Sequence, residues 1–178
     1  MKINTLISGM VSAGILTLSA TNALAADGKI TFNGSITDVA CTVDSSSKDM
    51  TVTLGNVSRT SLDGSAGKTA APVSFNIKLT NCPVAINGKN ASVIFDGISA
   101  NNDNTALKLT QDTGVATGVG VQISDNSGSI VPLFTPSSSY PLVTGVNSLG
   151  FTARYVSLTN AVTAGPANAV SNFTIAYN

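Results

Sequence analysis

Two cysteines, Cys41 and Cys82, are the residues of this chain able to form a covalent cross-link, and three short motifs have the look of catalytic or ion-holding segments. Gly67-Lys68-Thr69 resembles the end of a phosphate loop. The glycine such a loop needs five positions before Gly67 is Leu62, and no helical pattern follows to aim its N-terminus at a phosphate, so the segment reads as a turn. Asp112-Thr113-Gly114 matches the aspartic-protease triplet, whose chemistry needs two carboxylates sharing one proton. No second triplet exists, and the residues that follow look like a loop between strands. The run Asn101 to Asn104 could offer oxygens to calcium, but it lacks the spacing and glycine of an EF-hand loop and reads as a solvated turn.

What is missing narrows the chemistry further. The chain has no histidine, and all nine acidic residues are aspartate. Histidine-dependent triads, imidazole acid/base catalysis and histidine-ligated metals are therefore excluded. The expectation is that the protein is not an enzyme, has no catalytic residues, and needs neither cofactor nor metal. Nine lysines and arginines balance the nine acids. No basic surface is available to neutralise phosphates, so nucleic acid is not an expected partner.

The elements that would position these residues are strands. Lacking glutamate and poor in lysine, the chain is short of strong helix formers. Its Ser, Thr, Asn and Gly favour turns and strand surfaces, and Val and Ile favour strands. Period-two alternation marks strands over Lys29–Ile36, Met50–Leu54, Val73–Leu79, Ala91–Phe95, Ala106–Thr110, Gly118–Ile123, Ser148–Val156 and Ala169–Tyr177. Turn clusters at 63–67, 87–89, 101–104 and 125–128 separate several of them. With 178 residues and no repeat or dividing linker, the expectation is one all-β domain, a two-sheet sandwich of the immunoglobulin type.

The first 25 residues read as a signal peptide: Lys2, an apolar stretch over Leu6–Leu18, and Ala23-Leu24-Ala25 as the cleavage motif. Export to an oxidising compartment makes a Cys41–Cys82 disulfide the expected state of the two thiols. No Cys-x-x-Cys is present, so the bridge is structural.

The two ends of the mature chain carry most of the information. Lys29–Ile36 places Ile30, Phe32, Gly34 and Ile36 on one face, and it precedes Cys41. At the other end Phe173, Ile175 and Tyr177 share a face of a long apolar strand, an aggregation hazard if its edge is left unpaired.

With these features the sequence resembles the pilins of chaperone-usher fimbriae, such as the subunits of type 1 and P pili. The residues that carry the likeness are the secretory signal, Lys29-Ile30-Thr31-Phe32-Asn33-Gly34 ahead of Cys41, and Leu79-Thr80-Asn81-Cys82. Gly120-Val121-Gln122-Ile123, Phe151-Thr152-Ala153-Arg154-Tyr155, penultimate Tyr177 and Gly165 fourteenth from the end complete it. The likeness covers essentially the whole mature chain.

The resemblance implies an immunoglobulin-like sandwich lacking its seventh strand. A donor strand from a periplasmic chaperone completes it first, and after exchange at the outer-membrane usher the N-terminal extension of a neighbouring subunit does so. The implied organisation is a signal peptide (1–25), a donor extension (26–37) and a pilin domain (38–178). Ile30, Phe32, Gly34 and Ile36 would be the inward donor positions. Phe173, Ile175 and Tyr177 would border the acceptor groove, and the carboxylate of Asn178 would meet the chaperone. The partners implied are identical or related pilins, the chaperone and the usher, and the destination is a cell-surface fimbrium contributing to adhesion. Only Ala26-Asp27-Gly28-Lys29 precede Ile30, a shorter lead than in typical rod-forming subunits, which leaves rod subunit and adaptor both open. A fimbrial adhesin or carbohydrate-binding module is the alternative. Such proteins usually carry a separate binding domain that this chain is too short to house.

Overall fold

A computed structural model of the chain describes residues 28–34, 36 and 39–178. The expected signal segment and the first residues of the extension, Ala26 and Asp27, lie outside them. The chain divides into two units, Met1–Ile36 and Thr37–Asn178. No described helix is long and apolar enough to cross a membrane.

In the first unit the described residues take up no regular secondary structure, so residues 29–34 and 36 are not in the strand expected over Lys29–Ile36. Alternation alone cannot hold a strand. Its backbone N–H and C=O groups need a neighbouring ladder, and even a two-stranded hairpin is marginal in water.

The second unit is built of seven strands: β1 (Thr42–Val43), β2 (Val73–Cys82), β3 (Asn90–Asp96), β4 (Val119–Asp125), β5 (Tyr140–Pro141), β6 (Gly145–Ser157) and β7 (Asn172–Tyr177). They form two antiparallel sheets, β1-β2-β6-β4 and β5-β3-β7. Among the described residues helical structure is confined to single turns over Ser45–Lys48, Arg59–Leu62 and Val84–Ile86. The first is capped by Asp44, whose carboxylate accepts from the Ser46 N–H at 3.0 Å.

Each long strand turns alternate side chains inward, as period two requires. Ile77 and Leu79 of β2, Ala91, Val93 and Phe95 of β3, Val121 and Ile123 of β4, and Leu149 and Phe151 of β6 are all buried in one core. Aromatic rings join the sheets at its centre. Phe151 lies 5.1 Å from Phe95 edge to face, 5.7 Å from Phe75 and 5.5 Å from Tyr140, spacings at which ring pairs attract beyond their area burial.

Two expected strands come out differently. Ala106–Thr110 contributes only a bridge at Leu107, which pairs with Val121 of β4 on one side and Ser99 on the other. Turns at 101–104 and from Asp112 onward cut it short. Met50–Leu54 joins no ladder among the described residues.

Candidate functional site

Strand β7 sits at the edge of the three-stranded sheet and pairs with β3 from Ala91↔Tyr177 to Asp96↔Asn172. One residue further, Asn178 and Asn90 exchange backbone hydrogen bonds at 2.9 and 3.1 Å. At the opposite end the Ser171 hydroxyl donates to the Asp96 carbonyl at 2.7 Å and ends the ladder, so Ala169–Ser171 stay outside the strand.

On its far side β7 has no backbone partner among the described residues. Its inward face is correspondingly underfilled. Val93 and Phe95 of the neighbouring strand are buried to 0% and 3% exposure, whereas Phe173, Ile175 and Tyr177 pack against the same core but remain half-buried. An edge with free N–H and C=O groups and an apolar face accepts a further strand.

A second unpaired backbone lies in the extended segment 50–57. Met50, Val52 and Leu54 are half-buried while Thr51 and Thr53 are exposed, which is strand-like alternation. Among the described residues its backbone makes no hydrogen bond. The end of this segment borders a cavity of about 410 Å³. Gly55, Asn56 and Val57 line one side of it, the lead into β7 from Thr163 to Asn168 the other, and Leu62, Ala116 and Tyr155 lie among its remaining walls. The Tyr155 hydroxyl donates to the Ala167 carbonyl at 3.0 Å, and burial pushes its pKa up, so it stays a neutral donor. Sequence reasoning missed this half of the site. The signal was the alternation of Met50–Leu54, read there as an ordinary paired strand.

Cys41 and Cys82 are joined in a disulfide, as expected. The bridge fixes the point where the chain enters the sandwich. Tyr177 secures the same point from the other sheet: its hydroxyl accepts from the Cys41 N–H at 3.1 Å. The structure thus gathers Phe173, Ile175 and Tyr177 on one face and ties the last of them to the disulfide. Of the other expected site residues, Asn178 extends the β3 pairing. Ile30, Phe32 and Ile36 stand in the first unit with exposed side chains, and neither they nor Gly34 belong to regular structure.

The tempting motifs are turns. Gly67 and Lys68 donate their N–H groups to the Ser157 carbonyl and hydroxyl, while the Asp112 carboxylate accepts from Thr110 and Asn168. Among the described residues no group of three Asp, Glu, Cys or His could hold a metal ion. The buried carboxylate, Asp125, closes the turn after β4. Burial pushes its pKa up, but hydrogen bonds from the Ser127 and Ser138 hydroxyls and from the Ser129 and Ser127 N–H groups outweigh that and hold it below the usual range.

Comparison with known proteins agrees with this architecture. A model of the family described as Fimbrial protein matches residues 30–178. The type-1 fimbrial protein A chain of Escherichia coli K12 is 41% identical over 186 residues, covering 99% of this chain and all of that one. Long polar fimbria protein A of Salmonella typhimurium is 34% identical, covering 92% of this chain and 90% of its own. Among solved structures, the P pilus rod subunit PapA superposes with a TM-score of 0.67 at 25% identity, over 78% of this chain and 99% of that one. The structure of a chaperone-usher pilus gives 0.66 at 25%, over 86% and 96%.

Proposed function

The chain belongs to the fimbrial protein family, and from that membership and the free edge of β7 we propose that it polymerises by donor-strand exchange. It is a structural subunit of a chaperone-usher pilus at the cell surface and not an enzyme, and its partners include other pilus subunits. The exchange, the chaperone and usher steps, and a contribution to adhesion are the proposal.

In this reading the signal (1–25) directs export to the periplasm, the extension (26–37) is the donor, and residues 38–178 form the acceptor. A chaperone strand first occupies the groove along Phe173, Ile175 and Tyr177 and contacts Asn178. At the usher it gives way to the extension of the next copy, whose Ile30, Phe32, Gly34 and Ile36 face the core between β7 and segment 50–57. The single observation that carries this is that β7 keeps one backbone edge unpaired and its inward Phe173, Ile175 and Tyr177 half-buried, while the inward Val93 and Phe95 of its paired neighbour β3 are buried.

The energetics support a durable link. Each of Ile30, Phe32 and Ile36 would gain roughly 2 kcal/mol by burial, and the added ladder would give two unpaired backbone segments their partners. Within this chain a Cβ added at Gly34 meets nothing within 4 Å. No steric demand for glycine is visible there, and a close approach to another molecule's core would supply one.

The test is a synthetic peptide of Ala26–Thr37 added to the chaperone-bound subunit. The expected result is release of the chaperone and a heat-resistant peptide–subunit complex. A subunit that keeps its chaperone and takes up no peptide under conditions where fibres form would overturn the proposal.

A further inference from the structure

The body of the molecule carries exposed apolar side chains at both ends of its sheets. At the end where the chain enters, Val84 follows Cys82 on the helical turn over Val84–Ile86, Val143 lies on the β5–β6 connection and Val146 near the start of β6. Asn147 of β6 ties these segments together. Its amide accepts from the Val143 N–H at 2.9 Å, donates to the Val143 carbonyl at 2.7 Å, and approaches Cys82 Sγ at 3.1 Å. Thr144 is tied to the same region through two hydrogen bonds to the Asn87 amide oxygen, at 2.8 and 3.0 Å.

At the opposite end, about 20 Å away along the seven residues of β3, Ile98 and Val170 leave the β3–β7 ladder side by side. A Cβ added at Gly97 would lie 3.0 Å from the Val170 carbonyl. All five side chains are between 57% and 72% exposed. The first three lie near the disulfide at Cys82, where the Asn147 and Asn87 amides hold the 143–144 connection in place.

The tether dictates what must face the entry end. Only residues 37–40 separate Ile36 from Cys41, so the near end of the donor segment, Ile36, can lie no further than about 17 Å from Cys41 of its own body. A second copy holding that donor segment along its β7 must therefore lie against this end. We infer that Val84, Val143 and Val146 of one copy dock on the end of the next copy that carries Ile98 and Val170, forming a body-to-body contact beside the exchanged strand.

The inference rests on the strand-exchange reading, which supplies the tether. Because the two surfaces differ, the contact is heterologous. Repeated from copy to copy, it propagates a filament instead of closing a dimer. It would stiffen each joint and slow the escape of the donor strand.

The experiment uses fibres assembled from the full chain with its chaperone and usher. Fragmentation is followed in excess Ala26–Thr37 peptide, and peptide uptake by each chaperone-bound monomer is measured alongside. Val143→Lys with Val146→Lys should leave monomer uptake at the wild-type rate but make fibres fragment at least about tenfold faster, the loss expected when charge replaces apolar contact at an interface centre. Val143→Ser with Val146→Ser should act in the same direction. Combining Val146→Lys with Ile98→Asp in one chain should slow fragmentation again, because every joint then pairs opposite charges.

Wild-type fragmentation rates in both double variants, or a combined variant as fragile as Val146→Lys alone, would overturn the inference while leaving strand exchange standing. Absence of peptide uptake by the wild-type monomer would instead overturn strand exchange, and this inference with it.

Discussion

The Tyr177 hydroxyl accepts from the Cys41 N–H at 3.1 Å and donates to the Cys41 carbonyl at 3.3 Å, a contact between residues 136 positions apart in the chain. One side chain thereby pins the place where the chain enters one sheet to the last turns of the edge strand in the other. Cys41 is held twice, by Tyr177 and by Cys82. The C-terminal end of β7 and the entry of the chain at Cys41 are therefore fixed relative to each other.

Tyr177→Phe removes both hydrogen bonds and little volume. The expected loss is about 1 kcal/mol, the ordinary worth of such a bond. Thermal unfolding of the peptide-complemented subunit should show a midpoint lowered by a few degrees with peptide stoichiometry unchanged. An unaltered midpoint would mean that the disulfide alone holds the entry point.

Cys41→Ser opens the loop that closes at Cys82. On the entropic model a loop of this size constrains the unfolded chain by roughly 4 kcal/mol, a large share of a small domain's stability. Recovery of the chaperone-bound subunit should fall sharply, and urea should unfold what remains at lower concentration. Both are read by quantitative blotting and denaturation.

Gly34→Leu alters the donor and leaves the acceptor untouched. The chaperone complex should form at wild-type yield and exchange normally with wild-type peptide, while the variant chain makes no fibres under electron microscopy. Ordinary fibres would show that Gly34 does not face the acceptor's core.

Acid should weaken the fold in a defined window. Hydrogen bonds hold the carboxylates of Asp44, Asp63, Asp103 and Asp125 below their usual range: the Ser46 hydroxyl for the first, the Val162 N–H for the second, the Thr105 hydroxyl for the third, and for Asp125 four bonds that overcome its burial. Groups with depressed folded values contribute stability that is complete above the unfolded carboxylate value of about 3.9 and is lost as pH falls through the folded one. The unfolding midpoint should thus be level from neutral pH to about 5 and drop below about 4. Asp125→Asn keeps an acceptor oxygen but cannot titrate, so its acid limb should be shallower. An acid limb identical to that of the parent would remove Asp125 from the account.

Residues 73–79, 91–95, 118–123 and 148–156 were legible as strands because their alternation reports a face that must be buried, and each found a ladder on at least one side. β1 and β5 were not, since two residues carry no period. The tempting motifs at Gly67 and Asp112 were legible as turns from the partners they lacked. Met50–Leu54 and Lys29–Ile36 alternate as clearly as β3 does, yet neither joins a ladder among the described residues.

What the sequence determined by itself is therefore the set of apolar faces, the lack of histidine and glutamate and the pairing of the two cysteines, because each depends on residue type and local spacing. What only the tertiary structure decided is which faces are satisfied. A strand's partner is chosen by long-range contact, and the period of two that marks a strand is the same whether its hydrogen bonds close within one molecule or wait for another.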